Sequence, residues 1–268
     1  MEKYASKKKI KHLKIKSNVG APKARNIGIK KCSGEWIQFL DADDLLLPNK
    51  ITNQINIAIN YFPSFIVASS FYQSLQGKNT IIEPNKDCFL GLLESNFGNT
   101  CSNLFNVNAL KKINGWDENL KSSQEYDLMF RLVKKNCKYI IDNEKLTIVR
   151  QREFGQISTS NSKLKWNQYL SLRLQIIEYL KTNNIKYYLK NEQKIKQVLF
   201  EILRILAKYD LDNAFKVYSK ELTKFKPKKS SNTTRRYIFL FSILGFELTE
   251  KILNIIKSKY DISYHTKF

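Results

Sequence analysis

Asp41-Ala42-Asp43-Asp44 follows directly on the apolar run Trp36-Ile37-Gln38-Phe39-Leu40. Side chains alternate along a strand, so a strand over 36–40 would aim Asp41 and Asp43 the same way at its carboxyl end. That is the edge at which open α/β sheets hold their ligands. Carboxylates gathered there, with Asp44 beside them, suit a hard divalent cation, Mg²⁺ or Mn²⁺, that could in turn hold a phosphate. An acidic loop that only solvates a strand end and caps the next helix would use the same residues. A short D-x-D-D does not separate the two.

The flanks carry more information. Upstream stand Ser17-Asn18-Val19-Gly20-Ala21-Pro22-Lys23-Ala24-Arg25-Asn26-Ile27-Gly28-Ile29 and Ser33-Gly34-Glu35-Trp36; downstream, Leu45-Leu46-Leu47-Pro48-Asn49-Lys50-Ile51. A second block reads Asn114-Gly115-Trp116-Asp117-Glu118-Asn119-Leu120, then Gln124-Glu125-Tyr126-Asp127-Leu128-Met129-Phe130-Arg131-Leu132. Together, over roughly residues 9–160, these strings resemble the family 2 glycosyltransferases, inverting enzymes of the GT-A fold. The resemblance implies a divalent cation (Mg²⁺ or Mn²⁺) at Asp41, Asp43 and Asp44, and donor contacts at Gly20, Arg25, Asn26 and Asp41. It also implies a general base at Glu125, with Asp127 second to it. The donor would be a nucleotide diphosphate sugar, a UDP-sugar being expected, and the acceptor a hydroxyl on a glycan or lipid-linked molecule.

The residue chemistry is consistent with those roles. A planar guanidinium suits phosphate oxygens, and a carboxylate in the first turn of a helix is stabilised by the helix dipole. An ordinary salt bridge at Arg25, and ordinary first-turn charge at Glu125, are the plainer alternatives. Asp127 reads equally as a helix-cap or supporting residue. Family members also carry a strand like V-S-I-I-I-P-x-Y-N and a second strand ending in D-D-G-S, which complete the uracil and ribose half of the donor pocket. Neither string occurs here, so the expectation is a GT-A sheet truncated by about two strand–helix units, on the order of sixty residues. A catalytically inactive fragment or split-enzyme half, acting as a basic docking protein, is the alternative function. Past Arg150-Gln151-Arg152 the family's R-x-H histidine is missing, and no Q-x-x-R-W follows Glu125, so single-sugar addition is expected over polymerisation.

Composition sets the outer bounds. The chain has 268 residues, 43% of them hydrophobic and 12% aromatic, enough for one or two packed domains. Its formal charge of +22 has three readings: nucleic acid, an anionic membrane surface, or a lysine-rich solvated exterior. No recognised nucleic-acid module interleaves basic and stacking residues, so no nucleic-acid partner is expected. The other two readings stay open. Cys32, Cys88, Cys101 and Cys137 are scattered, and only His12 and His265 accompany them. That argues against zinc and for reduced thiols. With no signal peptide evident, a cytoplasmic protein is expected, peripheral on the inner membrane face if it meets lipid.

The elements that must position these residues alternate. Strands are expected at Lys9–Lys16, Trp36–Leu40, Phe65–Ala68, Lys138–Asp142 and Leu146–Arg150. Helices are expected at Ala24–Lys31, 49–61 (with Ile51, Ile55 and Ile59 as the apolar stripe) and 122–135. This is an α/β (Rossmann-like) sheet with helices on both faces, over residues 1–160. Residues 161–268 read as an all-α C-terminal appendage. It has three helices over 163–225, a basic linker near 224–236, and the apolar run Tyr237–Phe246, too short to span a bilayer. A packed terminal helix and an interfacial one both fit that run.

Overall fold

Phe65-Ile66-Val67-Ala68 is apolar at every position, and a strand buried on both faces has that signature. The computed structural model, which describes residues 10–151 and 162–260, buries all four. In chain order the elements are α1 (Ala21–Lys31), β1 (Trp36–Ile37), β2 (Leu45–Leu46), α2 (Lys50–Tyr61), β3 (Phe65–Ala68), β4 (Ser70–Gln73), β5 (Asn79–Ile82), α3 (Cys88–Glu94), β6 (Leu104–Asn106), α4 (Val107–Lys112), α5 (Gln124–Lys134), β7 (Tyr139–Asp142) and β8 (Thr147–Arg150). The helices α6 (Ser162–Asn183), α7 (Ile185–Leu206), α8 (Leu211–Glu221) and α9 (Arg235–Tyr260) follow.

β3 lies at the heart of a sheet ordered β1-β6-β3-β7. It pairs antiparallel with β6 and parallel with β7, Ile66 opposite Ile140. A second sheet, β2-β8-β4-β5, continues from it through Ser69, whose N–H donates to the Asp142 carbonyl at 3.0 Å. β8 runs parallel to β4 and antiparallel to β2. One hydrophobic cluster runs from Phe65 and Phe105 in the sheet, through Leu92 and Phe97, to Ile176, Leu199 and Phe246 in the C-terminal helices. In those helices Phe200 is fully buried among Tyr218, Phe225, Tyr237, Phe241 and Phe246, with centroids 5.4–6.4 Å away. Truncating such a phenylalanine to alanine typically costs about 3–5 kcal/mol.

Several local expectations are corrected. Residues 10–16 form no strand, and Leu13 and Ile15 are exposed; Lys9 lies outside the described residues. α1 begins at Ala21, because Pro22 fits the first helical turn, where its missing N–H has no bond to lose. The strand expected to run to Leu40 stops at Ile37. There the Gln38 side chain donates to the carbonyls of Phe39 and Cys101, so a side chain replaces the ladder. α2 exists, but its buried face is Lys50, Gln54 and Ala58, while Ile51 and Ile59 face solvent. Periodicity fixes that one face is buried; here the polar face wins because its groups find partners. The Lys50 ammonium donates to Gln38 and, at 2.8 Å, to Gln54 Oε1. Gln54 in turn donates to the Ser102 carbonyl at 3.1 Å and to Asp142 Oδ2 at 3.4 Å.

The three appendage helices occur as expected, and the final apolar run is the start of α9. α9 is bent at Gly245 (φ 71°), a left-handed conformation that other residues adopt only with strain. Among the described residues no helix is long and apolar enough to cross a membrane.

Candidate active site

Three segments converge: the N-terminal half of α1, the turn at 41–44, and the start of α5. The turn closes when the Asp44 N–H donates to the Asp41 carbonyl at 3.1 Å. Because the strand has already ended, turn geometry rather than strand alternation decides which carboxylates meet. Asp41 and Asp44 come together with the thiol of Cys101, their ligating atoms within 4.8 Å of one another. Asp43, which alternation pairs with Asp41, is outside that group, and its carbonyl accepts from Arg150 Nε. Asp44 is buried; its Oδ1 accepts from the Arg150 N–H at 3.0 Å. Burial pushes the Asp44 carboxyl up, the Cys101 and Arg150 hydrogen bonds oppose this, and the charges of Asp43 and Asp41 add to the rise. Burial likewise holds the Cys101 thiol well above its ordinary range. A thiol that keeps its proton is no ligand for a hard cation. The donor set that remains, the oxygens of Asp41 and Asp44, fits Mg²⁺ or Mn²⁺, and a cation there would relieve the repulsion between them.

Arg25 spans the other two segments. Its Nη2 donates to Asp41 Oδ1 at 2.8 Å and its Nη1 to Gln124 Oε1 at 3.4 Å. The guanidinium lies 4.7 Å from the centre of the Trp116 ring, which packs edge-on against Phe39 at 5.2 Å. The Asn26 side chain is taken up by the second block. It clamps the second block, donating to the Trp116 carbonyl at 2.9 Å and Glu118 Oε1 at 3.0 Å, while its Oδ1 accepts from the Trp116 N–H at 2.8 Å. Gly115 makes this possible, since a Cβ there would collide with Asn26 Oδ1. Gly20 is the N-cap residue of α1 at φ 79°, its N–H bonded to Asn18 Oδ1 at 3.0 Å.

Glu125 is half-buried in the first turn of α5, in the same assembly as Arg25 and Gln124. Burial raises its carboxyl above the ordinary value. Its own backbone N–H and the charges of Arg25 and Arg173 pull it down, and Asp41 adds a small rise. Asp127 is different. It accepts from Arg131 Nε at 2.8 Å, and Arg131 Nη1 donates to the carbonyls of Ile113 (2.8 Å) and Gly115 (2.7 Å). Asp127 therefore braces the loop that carries Trp116. Trp116, Cys101, Arg150 and Arg173 escaped the sequence reading as site residues. Arg25-Asn26 and the G-W-D-E string hinted at Trp116; no local signal marks Cys101 or Arg173, which reach the site only through long-range packing. Arg152, the end of the string past which the histidine is missing, lies outside the described residues.

An acidic turn, an arginine on an aromatic wall and a carboxyl raised by burial at a helix start are thus brought to one place. Residues 1–103 match the family model for glycosyl transferase family 2. That match takes in the acidic turn but stops short of the second block at 114–132. Across 99% of its length it is similar to S. aureus TarS 1-349 in complex with UDP-GlcNAc, at TM-score 0.55 and 13% identity, covering 80% of that chain. At that identity the likeness establishes the fold alone. Among curated relatives, a Rickettsia typhi glycosyltransferase is 29% identical over 58% of this chain and 53% of its own length. The Bacillus subtilis minor teichoic acid biosynthesis protein GgaB is 28% identical over 67% of this chain and 20% of its own. The chain thus spans about half, or less, of the length of these curated relatives.

Proposed function

We propose that this chain transfers a sugar from a nucleotide diphosphate sugar to a hydroxyl acceptor in surface glycan or polysaccharide synthesis. The observation that carries the reading is the meeting of Arg25, Asp41 and Glu125 from three separate segments. Arg25 and the acidic turn would face the diphosphate, and Glu125 would take the acceptor proton as its oxygen bonds to the anomeric carbon and the nucleoside diphosphate departs. Asp41 and Asp44 would hold the divalent cation, which when bound supplies charge neutralisation at the leaving diphosphate. Trp116 and Phe39 wall the site, Asn26 and Gly20 shape the loops at either end of Arg25, and Asp127 holds the Trp116 loop. The family match and the UDP-GlcNAc complex of TarS support a UDP-sugar as donor. Incubating the chain with UDP-GlcNAc and other UDP-sugars, with Mn²⁺ and polyol or glycan acceptors, should release UDP and form a mass-shifted acceptor. If no UDP-sugar yields product with the wild-type chain, the reading fails.

The C-terminal region supports an anionic membrane surface as the place of work. Phe239 and Ile243 on one half of α9, and Leu248, Ile252, Ile255 and Ile256 on the other, are exposed at helical spacing. Lys224, Lys226, Lys228 and Lys229, in the segment before α9, and Arg235 and Arg236, at its start, are also exposed. Shallow insertion and electrostatic attraction together suffice for reversible binding where either alone is marginal. Salt-sensitive sedimentation with phosphatidylglycerol vesicles, weakened by Phe239→Ser with Ile243→Ser, is expected. A chain that stays in the supernatant at low and high salt would remove the membrane from this proposal.

A further inference from the structure

Arg173 is the largest fully buried side chain in the molecule's described part, and it belongs to α6, outside the segments that form the site. Among the described residues no carboxylate stands within ion-pair distance of it. Its Nε donates to the Leu93 carbonyl at 3.2 Å, and its Nη1 to Ser123 Oγ at 2.6 Å and the Tyr169 carbonyl at 3.3 Å. Nη2 donates to Ser95 Oγ. The guanidinium stacks 3.5 Å from the Tyr169 ring centre and lies 5.6 Å from that of Tyr126. Ser123 is the N-cap of α5, in a left-handed conformation at φ 55° with no capping bond from its own side chain. An uncompensated charge in the interior is costly. Neutral oxygens and a ring face offset part of that cost, and what they leave is a positive potential directed at the first turn of α5, where Glu125 sits.

We propose that Arg173 is a positioning residue for Glu125, contributed by the helical appendage, which clamps the N-cap of α5 and supplies the buried counter-charge to its carboxylate. This rests on Glu125 as the base of the proposed function, but the coupling itself can be tested without any turnover. Charged groups around Glu125 are Arg25 from α1, Asp41 from the acidic turn and Arg173 from α6, with the Tyr126 hydroxyl beside it. Arg173→Met should raise the Glu125 pKa by about one unit, and Arg173→Lys should raise it by less than half as much. Carboxyl-labelled glutamate, assigned by Glu125→Gln and titrated by ¹³C NMR on the full chain, reads this directly. An unchanged Glu125 titration in a folded Arg173→Met protein overturns the proposal. If that variant does not fold, Ser123→Ala decides: it removes one polar atom and should move the same titration upward by a few tenths of a unit, and no movement overturns the proposal. A coupled titration in a chain that transfers no sugar upholds the proposal and counts against the function instead.

Discussion

Two clusters of charge in this molecule obey different rules. In the C-terminal helices Arg204 donates to Glu250 Oε1 at 2.9 Å, bonds the Asn232 carbonyl and Thr233, and stacks 3.4 Å from the Tyr237 ring. Opposite charges meet there, and Glu250 is almost fully buried. Around the acidic turn, the like charges of Asp41, Asp43 and Asp44 lie close together, Arg25 pairs with Asp41, and Asp41 keeps 47% of its side chain exposed. The first cluster is complete as it stands. The second holds like charges whose mutual repulsion a cation and a diphosphate would relieve, which is the contrast between a brace and the proposed binding site.

The comparison breaks first at Glu125. If the acidic side is the working one, Glu125→Gln should lower kcat by about a hundred- to ten-thousandfold, the usual contribution of a positioned general base, with the fold intact by circular dichroism. The acid limb of the wild-type rate profile should also lie above the ordinary glutamate range, because burial raises this carboxyl. Next in size, Glu250→Gln should leave transfer unchanged and destabilise the chain by about 3–5 kcal/mol, the usual result of removing one partner of a buried pair. Urea unfolding checks it. A loss of transfer without a loss of stability would reverse the assignment of the two clusters. Within the turn, Asp44→Asn should abolish Mn²⁺ binding measured calorimetrically, while Asp43→Asn should weaken it by less. Equal effects would restore the alternation-based pairing of Asp41 with Asp43.

What could be read from the residues alone divides along the same line. β3, α5 and α7 follow from periodicity, because Phe65 to Ala68, Leu128, Leu132, Ile195, Leu199 and Ile202 are buried where the pattern places them; β7 and β8 form with their apolar residues only half-buried, and Tyr209 and Phe215 of the appendage stripes are exposed. The convergence of Arg25, Asp41 and Glu125 followed from two ordered motif blocks. The choice of Asp44 over Asp43 did not, since it depends on Gln38 ending the strand early through bonds to a residue more than sixty positions away. Arg173 was invisible for a related reason. A lone arginine in a lysine-rich helix looks solvated, and only packing against Leu93, Ser95 and Ser123 reveals that it is not.

The smallest effect expected concerns the buried face of α2. Lys50 is 2% exposed, and burial lowers its pKa from 10.5 to about 7, partly opposed by the charges of Asp142 and Cys101. Its value in the folded state lies below that of the unfolded chain. The unfolded chain therefore binds the extra proton between about pH 7 and 10.5, and stability rises with pH across that window. Below pH 7 the penalty is constant. Net positive charge elsewhere also falls as lysines titrate, and the raised Cys101 thiol acts in the opposite direction above the ordinary thiol range. Both contributions are shared with a Lys50→Met chain and cancel in the difference. Wild type should thus gain on Lys50→Met by about 1–3 kcal/mol between about pH 7 and 9, because one proton bound only by the unfolded chain contributes up to about 1.4 kcal/mol for each step of one in pH. Paired urea titrations at the two pH values measure it. Parallel curves would mean that Lys50 keeps its proton in the folded state, and that its bonds to Gln38 and Gln54 stabilise an ammonium under the acidic turn.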